Sequence, residues 1–368
     1  MRSINTADSQ AGAHPSQDEP AFARRIPEHR YQISGGLATR IAWRGLRNIL
    51  RRRPVLLPFE VTRSCNCSCR HCQLGGTIPD EVQAGPERYR ELVEAIQPAA
   101  SQISGGEPLL RSDILDIVRA IKQSDGLPYL IFVSNAVLLT EDKYLDLKEA
   151  GVNQFSVSLD FPDDRHDAFR AYRGLFQHLS TLLPGLAKKY GFGDIVINTA
   201  IQRENLPHLM EMIDLARSWG ICISFSAYTV LRTGEERLDI KAPKDLAQLR
   251  RTLGEIMAAK SRGAPVITPD PVLKRTCEYF ERGSLPNCAA GRRSACVMPN
   301  GDLVPCAYFP TTAFDTQEEM LREFTSGNEC GRCFVSVRAY TEQSVFDLLS
   351  GSLRTYLQRR RSRRAYSA

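Results

Sequence analysis

Three cysteines, Cys65, Cys69 and Cys72, stand in a C-x3-C-x2-C spacing, and no other stretch constrains this chain as much. They close the run Glu60-Val-Thr-Arg-Ser-Cys-Asn-Cys-Ser-Cys-Arg-His-Cys72. The apolar, β-branched residues 55–61 lead into it and read as a buried parallel strand, which puts the cysteines on the loop at its C-terminal end. Three thiolates on one short loop can hold three irons of a [4Fe–4S] cubane. The fourth iron is then open to a small molecule, much as a catalytic zinc keeps one position free. Three buried structural cysteines, or a zinc knuckle, are the alternatives that the spacing leaves open.

A length of 368 residues suits one large domain plus a smaller one. A hydrophobic content of 42% is enough for a real core. No apolar run approaches the roughly 20 residues of a membrane span. The first 25 residues are polar and lack the apolar centre of a signal peptide, so a cytoplasmic location is expected. Eleven cysteines in that setting point to metal or redox chemistry rather than disulfides.

The first 35 or so residues, rich in Ser, Gln, Asp, Ala and Pro, are expected to be disordered. Residues 36–53 form a basic amphipathic pattern. Ala38, Ala42, Leu46, Ile49 and Leu50 share one face, and Arg40, Arg44, Arg47 and Arg51 the other. Such a helix either packs on the core with its arginines in solvent or lies on an anionic membrane or acidic partner. Strand patterns follow at 55–62, 101–104, 129–134, 154–159, 195–201 and 222–227, and helical patterns at 87–96, 112–123, 140–150, 176–190 and 206–219. Alternating units of this kind predict an α/β fold with a parallel sheet, rolled by right-handed crossovers into a partial (β/α)6 barrel over residues 54–230. Chemistry in parallel barrels gathers at the C-terminal strand ends, where the cysteine loop lies.

The second strand pattern ends in Ser104-Gly-Gly-Glu-Pro-Leu-Leu110, a turn whose glycines allow close backbone approach. Together, the cysteine loop and this turn resemble the signatures of the radical S-adenosylmethionine (radical SAM) superfamily. The resemblance continues in Ser134-Asn135, in Ser158-Leu-Asp160, and in His166-Asp167 with residues 170–174. It departs from the superfamily pattern at His71, usually an aromatic position, at Ala136 and Phe161, usually glycines, and at the additional Cys67. The resemblance implies that Cys65, Cys69 and Cys72 hold a [4Fe–4S] cluster. It implies that His71, Gly105, Gly106, Glu107, Pro108 and Ser134 belong to the S-adenosylmethionine site. Ser158 and Arg173 would meet the ribose and carboxylate, and Asn198 the sulfonium side.

Beyond 230 the pattern changes. Residues 231–280 read as a bridging helical segment, with a helix at 244–259. Residues 281–350 are cysteine-rich: Cys288 and Cys306 flank a hairpin turned by Pro299-Asn300-Gly301-Asp302, and Cys330-Gly-Arg-Cys333 follows. Four thiolates suit zinc or [4Fe–4S]. The layout is similar to the shortened Twitch form of the SPASM/Twitch extension, which implies a second, auxiliary [4Fe–4S] cluster. Cys277 and Cys296 stay unassigned. Residues 351–368 form a basic tail that is either solvated or an anionic-surface contact. No stacking platform or RNA-binding motif accompanies it, which argues against nucleic acid.

The superfamily reading implies an enzyme that reductively cleaves S-adenosylmethionine to a 5′-deoxyadenosyl radical, which removes a substrate hydrogen atom. An auxiliary cluster with four protein ligands has no open iron, which favours electron transfer and a net oxidation. The substrate is expected to be a peptide or small molecule. A membrane-associated lipid is the alternative, and a non-catalytic iron–sulfur sensor the alternative from another class. The electron donor would be of the flavodoxin or ferredoxin kind.

Overall fold

The computed structural model describes residues 34–191, 193–308 and 312–344. The expected disordered segment up to residue 33 and the basic tail at 351–368 lie outside them. Helix α1 (Gly35–Leu50) precedes β1 (Leu56–Glu60), α2 (Pro86–Ile96), β2 (Ala100–Ser104), α3 (Ile114–Ile121), β3 (Tyr129–Ser134), α4 (Glu141–Ala150) and β4 (Gln154–Ser158). Then come α5 (Arg165–Arg170), α6 (Leu175–Tyr190), β5 (Ile195–Ile201), α7 (Leu209–Ser218) and β6 (Cys222–Ala227). The C-terminal part holds α8 (Pro243–Ser261), α9 (Asp270–Arg282), β7 (Cys296–Val297), β8 (Leu303–Val304), α10 (Gln317–Glu323) and α11 (Ser336–Thr341).

Strands β1 to β6 pair in sequence order and all in parallel, which is the partial (β/α)6 barrel that the alternating pattern predicts. Their two faces differ in chemistry. Phe59, Ile103, Phe132, Phe155, Ile197 and Phe225 are almost fully buried in the core between sheet and helices. Each contributes about 2–3 kcal/mol by leaving water. The opposite face carries Gln102, Ser104, Ser158, Asn198 and Ser226, all half-buried. A helix-covered apolar face and a polar concave face follow from the period of two along each strand.

Two features were not visible in the sequence pattern. The hairpin of β7 and β8 belongs to the same sheet: β7 pairs in parallel with β1 through Phe59 and Val297, giving the order β6-β5-β4-β3-β2-β1-β7-β8. The second cysteine region is thus hydrogen-bonded to the strand that feeds the first.

Helix α1 is turned differently from the expectation. Leu50, on the face expected to pack, is 75% exposed, and so is Trp43 at 67%. Arg44 and Arg47, on the other face, reach the barrel: Arg44 meets Asp125 at 2.6 Å and Arg47 donates to Gln97 Oε1 at 2.8 Å. Asn48, fully buried, donates to Pro54 O and Gln97 O, both at 2.8 Å. The N-terminal ends of the strands present carbonyls and carboxylates, and polar donors match these better than leucine does. Among the described residues, no helix is long and apolar enough to cross a membrane.

Candidate functional site

The loop after β1 is anchored before its cysteines begin. Thr62 Oγ1 and the Arg63 amide donate to the Glu81 carboxylate, each at 2.5 Å. Arg111 donates to Val61 O and Ala84 O, both at 2.9 Å. The Cys65 amide donates to Gly76 O at 2.9 Å. Further along, the Ser68 and Arg70 amides donate to Arg170 O and Phe169 O, so the loop is tied to α5.

Cys65, Cys67 and Cys69 are buried and Cys72 half-buried. Asn135 Nδ2 lies 3.7 Å from Cys65 Sγ, the Cys67 amide 3.5 Å from the same sulfur, and Arg170 Nη1 3.6 Å from Cys69 Sγ. The Cys67 thiol sits between its neighbours. A hydrogen bond from it lowers Cys65, and the same kind of bond, with the Arg170 cation, pulls Cys69 down to about 6 against burial. Its contacts with the Cys65 and Cys69 sulfurs, together with burial, push Cys67 itself far up. The sequence left Cys67 unassigned; its place between two candidate ligands accounts for it.

This donor set fits a cluster. Sulfurs that favour the thiolate form are what iron requires, and the loop also carries two buried polar atoms without hydrogen-bond partners, Asn66 Nδ2 and His71 Nδ1. Among the described residues, no group of three His, Cys, Asp or Glu side chains closes around a single ion. A cubane's ligands stand a cluster-width apart, unlike the ligands of one zinc.

Gly105 and Gly106 pack closely against the chain itself. A Cβ on Gly105 would lie 2.1 Å from Thr62 O, and one on Gly106 would lie 2.0 Å from Ser64 O. The Gly106 and Glu107 amides donate to those same two carbonyls at 2.7 and 2.8 Å. The Gly-Gly pair therefore packs the end of β2 against the root of the cysteine loop. Glu107 is fully buried and accepts from Ser134 Oγ and the Asn135 amide, both at 2.8 Å, and from the Leu109 amide at 3.1 Å. Burial, opposed by these donors, raises its carboxyl to about 7. Pro108 is buried and opens the single 3-10 turn that follows.

Ser158 and Asn198 are in register on β4 and β5, on the polar face, and Ser224 donates to Asn198 Oδ1 at 3.2 Å. His71 stacks on Phe169 with centroids 5.0 Å apart, and burial lowers its ring to about 4. Arg173 is exposed beyond α5. The arginine that reaches the cysteine loop is Arg170, which donates to Asp160 Oδ2 at 2.9 and 2.5 Å. His166, one turn earlier on α5, accepts the Asp160 amide at 3.2 Å. The i, i+4 spacing of His166 and Arg170 puts both on one helix face. That spacing was a usable signal for Arg170.

The later cysteines converge as well. Cys306 feels the charges of Cys333, Cys288 and Cys330, and burial pushes it up to about 12 and Cys288 to about 11. Their loops are shaped through carbonyls: Asn328 Nδ2 donates to Cys288 O at 2.8 Å, the Cys288 amide to Cys330 O at 3.2 Å, and Arg338 Nη1 to Cys333 O at 2.6 Å. Cys277 lies apart on α9 beside Glu281. Cys296 is buried in β7 and pushed well up by burial, and Cys222 is buried in β6.

A bridge spans the two regions. Arg232, after β6, meets Glu60 at the end of β1 at 3.0 Å, and its guanidinium lies 5.2 Å from the Tyr308 ring. Against the pull of burial, the charge of Glu60 holds Arg232 protonated, with further support from Tyr308 and Cys72. Tyr308 follows Cys306 by two residues, and its amide donates to Cys306 Sγ at 3.4 Å.

Comparison with known proteins gives a consistent picture. Residues 59–216 match the Radical SAM superfamily. The AdoMet-dependent heme synthase of Methanosarcina barkeri is 28% identical over 300 residues, covering 76% of this chain and 84% of that protein. Mycofactocin maturase MftC of Mycolicibacterium smegmatis is 27% identical over 262 residues, covering 69% of this chain and 64% of that protein. Among solved structures, Streptococcus suis SuiB bound to precursor peptide SuiA shares the fold with a TM-score of 0.59 at 18% identity, covering 77% of this chain and 69% of that one.

Proposed function

We propose that the chain uses the region matching the Radical SAM superfamily, residues 59–216, to oxidise a peptide or small molecule, with a second cluster as electron relay. When bound, a [4Fe–4S] cluster would supply one electron to S-adenosylmethionine, releasing methionine and a 5′-deoxyadenosyl radical that takes a hydrogen atom from the substrate. The residues supply the rest. Cys65, Cys69 and Cys72 would hold the first cluster. Ser158 and Asn198, with their neighbours on the polar sheet face, would contact the cofactor and orient it. Glu107, by contrast, braces Ser134 and Asn135 from behind. Cys288, Cys306, Cys330 and Cys333 would hold the second cluster with every iron ligated.

The observation that carries this reading is the bridge of Glu60, Arg232 and Tyr308. It links the strand feeding the first cysteine loop to the loop bearing Cys306. A substrate beside it would lie between both cysteine regions, where a hydrogen atom can leave to one side and an electron to the other. A relative named for heme synthesis supports a small molecule, and the fold neighbour SuiB, solved with its precursor peptide SuiA, supports a peptide.

The test uses anaerobic, reconstituted full-length protein. Cys330→Ala with Cys333→Ala should keep S-adenosylmethionine cleavage within about threefold and abolish substrate oxidation. Full turnover in that double variant would sink the relay. The electron donor is proposed to be of the flavodoxin or ferredoxin class. A membrane contact of α1 is a weaker reading, because Arg44 and Arg47 are engaged on the barrel. Flotation of the full chain on anionic vesicles would support it.

A further inference from the structure

The hydrogen bonds to sulfur in the first cysteine loop have a direction and a sign. Cys69 Sγ receives Arg170 Nη1 at 3.6 Å, and Cys65 Sγ receives the Cys67 amide at 3.5 Å and Asn135 Nδ2 at 3.7 Å. Arg170 is 7% exposed and Asp160 not at all. Asp160 takes two of the guanidinium's bonds, so the third nitrogen is aimed at Cys69. Asp160 is itself fixed at the end of β4: its amide donates to His166 Nδ1 and its Oδ1 accepts from the Ala200 amide at 3.3 Å. The resulting strut runs from the sheet through a carboxylate and a cation to a candidate ligand sulfur.

Sulfur becomes more electron-rich when an iron–sulfur cluster gains an electron. Donors and positive charge beside the sulfurs stabilise that reduced form, and solvent exposure and hydrogen bonding to sulfur are among the established determinants of cluster potential. A buried charge acts through a low local dielectric, so it is screened less than a surface charge; the Asp160 carboxylate offsets part of the guanidinium's charge at Cys69, and the directed N–H bond to the sulfur adds to what remains.

We propose that Arg170, oriented by Asp160, raises the reduction potential of the cluster that Cys65, Cys69 and Cys72 would hold, with Asn135 acting in the same sense at Cys65. The inference rests on the cluster assignment in the proposed function. Arg170 is here a positioning residue: it breaks no bond and takes up no proton. The electron comes from the external one-electron donor, and Arg170 stabilises the cluster that receives it.

The experiment is an EPR-monitored redox titration of the anaerobically reconstituted full chain, following the signal that changes on adding S-adenosylmethionine. Arg170→Met should shift the midpoint to more negative potential by about tenfold in the redox equilibrium, about 59 mV for one electron. Arg170→Lys, which keeps the charge, should recover part of that shift, and Asn135→Ala should move the midpoint the same way by less. An Arg170→Met protein with full iron and sulfide and an unmoved midpoint overturns the inference. If that variant fails to take up its cluster, the other two decide: wild-type midpoints in both overturn it. A wild-type chain that takes up no cluster at the 65–72 loop overturns the underlying assignment and this inference with it.

Discussion

At Cys65 and Cys69 polar side chains, one of them charged, point at sulfur, whereas around Cys288, Cys306 and Cys333 the side-chain donors point at backbone carbonyls and backbone amides meet the sulfurs. In the first region Asn135, Arg170 and the Cys67 amide approach the sulfurs of Cys65 and Cys69 directly. In the second, the side chains of Asn328 and Arg338 donate to Cys288 O and Cys333 O, and backbone amides, those of Ala290, Tyr308 and Val335, meet the thiols of Cys288, Cys306 and Cys333. The thiols respond accordingly: Cys65 and Cys69 are lowered, while burial raises Cys288, Cys306 and Cys333. The first region sets side chains, including a buried cation, on its sulfurs, and the second sets backbone amides on its own. Under the proposed roles, the first would be the more strongly tuned of the two.

The largest effect that separates them is loss of function. Cys72→Ala should remove 5′-deoxyadenosine production to the level of a protein-free control, read by chromatography of quenched anaerobic reactions. Retention of substantial cleavage would erase the distinction between the regions.

Next comes stability. Gly106→Ala places a methyl group on Ser64 O, a backbone atom that cannot swing aside, so it should destabilise the chain by at least about 2 kcal/mol. At Gly327, where nothing lies within 4 Å of the added Cβ, alanine should change stability by less than about 0.5 kcal/mol. Urea unfolding of the two cluster-free variants gives the comparison, and equal midpoints would contradict the packing role given to the Gly-Gly pair.

Thiol titration sharpens the contrast further. In cluster-free protein, pH-dependent alkylation followed by mass spectrometry should give a midpoint for Cys69 of about 6 and for Cys306 of about 12. A midpoint, unlike a rate, does not depend on how easily reagent reaches the thiol. Coincident midpoints would remove the electrostatic difference.

The smallest effect is a pH slope. The folded Glu107 carboxyl is raised from 4.5 to about 7. The folded state therefore holds a proton that the unfolded state has lost. Its contribution to stability is full below about pH 4.5 and is lost as pH rises through about 7. Glu107→Gln should flatten the decline between those values by an amount on the order of 1–3 kcal/mol. An unchanged slope would show that Glu107 is charged when folded.

Much of this frame was legible beforehand. The strands at 129–134, 195–201 and 222–227 coincide with β3, β5 and β6, because buried parallel strands read as continuous apolar runs flanked by turns. The pairing of β7 with β1 was not legible: two-residue strands carry no period, and partner choice over a long sequence separation leaves no local mark. In α1 the apolar stripe suggested one packing face, and the helix instead buries Leu37 and Asn48, with Asn48 donating to carbonyls at the strand starts. The motif singled out Arg173, which is exposed beyond α5; Arg170, which reaches the cysteine loop, carries no motif signal and shares a helix face with His166. At Gly105 and Gly106 the chain itself makes one close approach, to Thr62 O and Ser64 O, which the local sequence does not indicate. Arg232 belongs to no motif, and only the three-dimensional meeting of β1, the segment after β6 and the Cys306 loop reveals it.

The division of labour between the two cysteine regions can be tested without knowing the substrate. Full-length wild type should reconstitute with about eight irons per chain. A Cys65→Ala, Cys69→Ala, Cys72→Ala variant should keep about four, and so should one with Cys288, Cys306, Cys330 and Cys333 all changed to Ala. S-adenosylmethionine should alter the EPR spectrum of the second variant, which keeps the first loop, and leave that of the first unchanged. A spectrum that responds in the variant lacking Cys65, Cys69 and Cys72 would contradict the account.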